Sequence, residues 1–156
     1  MLESASPLPK LAHCLGLAGL LPQALACLLI FTASDMRWIA LASAFGYAAI
    51  IFSFLGGVWW GLAFTKTDAP HWIYAAAVAP SLISLGAYIP WTLGWTWPGP
   101  SLMIISFCLL ISPVVDHAIG RVIQFPKGWL ALRWQLSVGL GMLTFLAAVL
   151  PTPGSA

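Results

Sequence analysis

Charge is scarce in this chain. Only 6% of its residues are Asp, Glu, Lys or Arg, while 61% are hydrophobic, against about 25% charged in an ordinary soluble domain. A chain so poor in charge cannot clothe a water-facing surface, which excludes a soluble globular domain and makes lipid its solvent. The formal net charge of +2 is too small to attract nucleic acid, so none is expected as a partner. There are four acidic residues, and Glu3 and Asp35 lie at the periphery, which leaves paired-carboxylate chemistry without a basis. The three cysteines, Cys14, Cys27 and Cys108, form no CxxC. Cys14 and Cys27 are separated by about 20 Å along one helix, so they cannot bridge; all three read as small residues within helices.

The motifs of common chemistries are missing too. GxSxG, HExxH and CxxCH are absent, and the Gly56-Gly57 pair lies inside an apolar run rather than opening a helix as a phosphate loop does. Charge runs, internal repeats and low-complexity linkers are also absent. No cofactor and no metal are predicted.

What is present is hydrophobic length. A helix of about 20 apolar residues crosses a hydrocarbon core of about 30 Å. Five such runs are predicted, over about 11–31, 38–64, 72–89, 101–119 and 129–150. The polar clusters Thr32-Ala33-Ser34-Asp35 and Thr65-Lys66-Thr67-Asp68-Ala69-Pro70 separate the first three; Pro90 closes the third; Gly120-Arg121 follows the fourth. Residues 1–156 thus read as one all-α polytopic membrane bundle. The first run is too long for a signal-peptide core and is taken as a retained span.

Lys and Arg placement orients the bundle. Lys10, Lys66, Arg121, Lys127 and Arg133 fall on one side, and only Arg37 on the other. The N-terminus is therefore expected in the cytoplasm, or on the equivalent matrix side, and the C-terminus opposite. Trp38, Trp72, Trp91 and Trp129 stand at span ends, where interfacial anchors belong. The uncharged loop from Pro90 to Pro100 carries Trp91, Trp95 and Trp97, read as contacts to the lipid headgroup layer or to another membrane subunit.

Two features bear on packing. Ser53, Gly57 and Gly61 recur at spacing four, and small residues let membrane helices approach closely; they are predicted to form a helix–helix seam. Pro22, Pro80 and Pro113 interrupt their spans; each frees a carbonyl that needs a partner inside the bundle, and Gln23, Ser81 and Ser112 stand beside them to serve.

Titratable groups gather at the cytoplasmic helix ends. Asp116 near the end of the fourth span and Arg133 one turn into the fifth are predicted to form a structural ion pair, since a charge in the membrane is normally paired or snorkelling. His13 and His117 stand at similar depth but lack the spacing of a ligand pair.

The stretch Leu15-Gly16-Leu17-Ala18-Gly19-Leu20-Leu21-Pro22, the block from Tyr47 to Gly61 containing Ser53-Phe54-Leu55-Gly56-Gly57-Val58, then Pro80-Ser81-Leu82-Ile83, Asp116, Phe125-Pro126 and Leu132-Arg133 together resemble an uncharacterised membrane-protein family. That family includes animal transmembrane protein 69 and many proteobacterial members. The resemblance spans nearly the whole chain and implies a five-span protein of the bacterial or mitochondrial inner membrane. It supplies no activity. The family often carries histidine where this chain has Trp59, so no role of that histidine carries over.

Two functions fit these observations. One is a non-enzymatic accessory or assembly subunit packing against a larger respiratory- or photosynthetic-type membrane complex, with lipids and other subunits as partners. The alternative is a small bundle that binds or moves a quinone, lipid or tetrapyrrole. Chemistry through Asp116, His117 and Arg133 ranks behind both.

Overall fold

The computed structural model describes residues 8–33, 35–94 and 98–150. All regular structure among them is helical: α1 (Lys10–Ala18), α2 (Leu21–Thr32), α3 (Arg37–Ala63), α4 (His71–Thr92), α5 (Gly99–Gly120) and α6 (Trp129–Val149). α1 and α2 follow one another within a single span, so five segments are long and apolar enough to cross a membrane. Their limits match the predicted runs to within three residues, because hydrophobic length and flanking turn residues are both local signals.

The first span is broken where the sequence expectation placed only a kink. α1 stops at Ala18, Gly19 and Leu20 form a turn, and Pro22 stands in the first turn of α2. A proline is tolerated there because the first-turn N–H groups have no intrahelical acceptor in any case. Pro80 and Pro113 do lie inside helices, as does Pro90. Pro90 therefore does not end its helix. It forfeits one bond, to the Gly86 carbonyl, and the last turn continues with Leu93 N–H donating to Ile89 O at 3.1 Å.

α5 with α6 and α3 with α4 are the most extensive pairs; α2 packs on α3 and α6, and α1 lies mainly against α6. Polar links cross these seams because lipid offers no alternative partner. Ser106 Oγ donates to Gly141 O at 2.8 Å, and Ser112 and Ser137 hydroxyls meet at 3.0 Å. Fully buried Gln23 donates through Nε2 to Thr144 Oγ1 at 3.1 Å. Ser112 Oγ also donates to Leu109 O at 2.8 Å, the carbonyl that Pro113 deprives of its donor. The serine beside that proline thus serves as the sequence suggested. Ser81, beside Pro80, is exposed.

The seam between α3 and α4 lies elsewhere than predicted. Ser53 reaches Ser84 Oγ at 3.3 Å, but Gly57 and Gly61 are exposed, with nothing near a side chain built on either. The close approach is at buried Gly56, where a Cβ would be driven into the backbone carbonyl oxygen of Ala77 and against the Pro80 ring. Strict spacing of four drifts by about 40° per step on a helix of 3.6 residues per turn. The contact line instead runs through Phe45, Ser53, Gly56 and Trp60, which meet Tyr88 and Trp91, Ser84, Ala77, and Tyr74 of α4 respectively.

The helix ends sort into two layers. Leu8 N–H bonds Lys127 O at 3.3 Å, and Lys66 Nζ donates to Val122 O at 3.2 Å. The N-terminal segment and the α3–α4 and α5–α6 connections thus share one end. At the other end Arg37 donates to Ile30 O at 3.0 Å and Leu150 O at 2.9 Å, clasping the ends of α2 and α6.

Candidate functional site

Three helices bring polar side chains to one depth. Trp59 lies four residues before the end of α3, Asp116 four before the end of α5, and Arg133 four after the start of α6. At 1.5 Å per residue each is about 6 Å inside its helix end. Because α5 and α6 run antiparallel through a short connection, a residue near the end of one faces a residue near the start of the next.

Asp116 is 1% exposed and Arg133 7%. Arg133 Nε donates to Asp116 Oδ2 at 2.9 Å, and Trp59 Nε1 donates to Asp116 Oδ1 at 2.7 Å. Both carboxylate oxygens are thereby met, and the two charges balance in place. The predicted ion pair is formed, but Trp59 is a partner that the sequence reading missed. The available signal was its position: an indole N–H one turn inside a span, at the depth of Asp116, needs an acceptor. Arg133 Nη2 is buried and has no acceptor within the protein.

The Arg133 side chain lines a lateral cleft of about 260 Å³. Its walls are Leu15 and Gly16 of α1, Tyr47, Ile51 and Phe54 of α3, and Leu136 and Leu140 of α6. The break in the first span makes room for it. No residue of α1 is buried, and at the break Tyr47 Oη donates to Gly19 O. That bond satisfies a carbonyl at the helix break and ties the end of α1 to α3 beside the cleft. The lining is apolar apart from Arg133, Tyr47 and Ser137, and Ser137 is already engaged with Ser112.

Other candidates are placed differently. His117 is exposed and His13 half-buried; His13 lines a separate groove with Lys10, Cys14, Gly128 and Leu132. Among the described residues no group of three His, Cys, Asp or Glu side chains is placed to hold a metal. The cysteines are free. Trp91 is half-buried, with its ring 5.3 Å from Trp38 and 5.5 Å from Phe45. Trp91 belongs to the last turn of α4, and its ring packs on those of α3. Trp95 and Trp97 lie outside the described residues.

The sequence profile of the family described as "Protein of unknown function (DUF3429)" matches residues 8–149. The chain belongs to that family. The match takes in all six helices, so the polar cluster and the cleft both lie in the DUF3429 region. No curated protein and no solved structure matches the chain.

Proposed function

We propose that this protein is a non-catalytic, membrane-embedded bundle that holds a lipophilic molecule in the cleft between α1 and α3. The observation that carries the reading is a buried arginine, with an unmet donor, lining a mainly apolar cleft whose other polar residues, Tyr47 and Ser137, are already hydrogen-bonded. Ligand pockets are mainly apolar concavities with a few convergent polar groups. A structural ion pair alone requires neither the cavity nor the spare donor. The test is solvent extraction of protein purified in mild detergent, followed by mass spectrometry and an absorption spectrum. A stoichiometric lipophile is expected, and its loss in a cleft-filling variant ties it to the site; protein that neither retains nor rebinds any lipophile would refute the reading.

The reading includes a place and an orientation: a bacterial or mitochondrial inner membrane, kinship with animal transmembrane protein 69, and the Lys- and Arg-rich end facing the cytoplasm or matrix. Cysteines introduced as Thr67→Cys and Leu93→Cys test the orientation. A membrane-impermeant thiol reagent added from outside should label only the second.

A second reading, an accessory or assembly subunit of a larger complex, is favoured by the open face of α3 at Gly57 and Gly61, where another helix can approach closely. Co-purification with a defined set of membrane subunits is its expected result, and a clean monomer counts against it.

A further inference from the structure

The floor of the cleft discriminates among ligands. Asp116 already neutralises Arg133 and accepts from both Arg133 Nε and Trp59 Nε1. The remaining guanidinium donors belong to a pair with no net charge. An anionic headgroup drawn to them would add an uncompensated charge beside the Asp116 carboxylate in a low-dielectric site. An uncharged acceptor adds none.

Depth narrows the choice further. The cluster lies about 6 Å inside the helix ends, and helices of 21 and 22 residues just cover a core of about 30 Å. The acceptor oxygen must therefore lie within the hydrocarbon. The ester carbonyls of a glycerolipid are tethered to a polar headgroup at the boundary, whereas a ring carbonyl on an alkyl or isoprenoid tail can descend freely. Size agrees: about 260 Å³ is below the roughly 300–1,000 Å³ of drug-sized sites. That suits one small ring with its tail leaving past exposed Leu15 and Phe54, and it is too small for a tetrapyrrole. We infer that the cleft binds the head ring of an uncharged, quinone-class lipophile, one carbonyl oxygen of which accepts from the Arg133 guanidinium. The inference rests on the ligand-binding reading above and adds the chemical class.

Calorimetric titration of the full-length protein in detergent tests it, with three probes: a decyl-substituted benzoquinone, didecanoylglycerol and didecanoyl phosphatidate. The quinone is expected to saturate at one per chain and to bind at least tenfold more tightly than either lipid. Ile51→Trp, and independently Leu136→Trp, fill the cleft away from the ion pair; whichever retains the wild-type Tm should weaken quinone binding at least tenfold. Arg133→Lys keeps the charge beside Asp116 but loses the donor fork, and should weaken quinone binding about tenfold. Tighter binding of either lipid, abolished by the cleft-filling variants, overturns the quinone class and leaves the ligand-binding reading standing. Quinone binding indifferent to those variants places it elsewhere and overturns the inference. No saturable binding of any probe sinks both.

Discussion

Replacing each of two adjacent glycines by alanine should have opposite effects. At Gly57 an added Cβ meets nothing, so Gly57→Ala only removes the entropic penalty of glycine in a helix and should stabilise by about 0.5–1 kcal/mol. At Gly56 the same methyl is driven into the Ala77 carbonyl oxygen. That oxygen is backbone in the middle of α4 and cannot rotate away, so α3 and α4 must separate, by about 1 Å. A gap of 0.5–1 Å forfeits roughly a quarter to a half of each dispersion contact across it. The Ser53–Ser84 hydrogen bond, already 3.3 Å long, would be lost as well. Overpacking of this kind costs about 1–3 kcal/mol; after the helix gain, a net loss of about 2 kcal/mol is expected at Gly56, or roughly thirtyfold in the unfolding equilibrium. Reversible unfolding of the purified protein in mixed micelles, followed by Trp fluorescence, measures both. Equal effects at the two positions, or the larger loss at Gly57, would refute the assigned seam and restore the spacing-four stripe.

The ion pair should behave as a unit. Asp116→Leu or Arg133→Met alone strands a buried charge and should cost about 3–5 kcal/mol; the double variant with Trp59→Phe should recover most of that loss in the same unfolding assay. Tyr47→Phe removes the tie to Gly19 O and should cost about 1 kcal/mol, with faster amide hydrogen exchange confined to α1 and the break. Thr144→Val unpairs Gln23 Nε2; interhelical bonds in membranes average about 0.6 kcal/mol, so a loss near 1 kcal/mol is expected once the stranded buried amide is included.

How far the site was legible follows from the range of each signal. Asp116 and Arg133 could be paired from sequence because they flank one short connection and the membrane makes an unpaired charge costly. Trp59 belongs to a helix more than fifty residues away, and its partner depends on how α3 packs against α5. The cleft depends on a break that Gly19 and Pro22 permit but do not demand. Gly56 and Gly57 are indistinguishable as sequence; a rotation of about 100° between consecutive residues sends one into α4 and leaves the other open.

Composition and hydrophobic run length determined a five-span, all-helical bundle by themselves, because each span answers to the bilayer independently of the others. Tertiary structure alone decided which faces meet, where the first span breaks, and that a neutralised Arg133 with a spare donor lines a cleft. Helix packing is chosen by the fit of whole faces, and a single-residue change in phase redirects it. The spans are therefore written along the chain, while the site exists only where α1, α3, α5 and α6 come together.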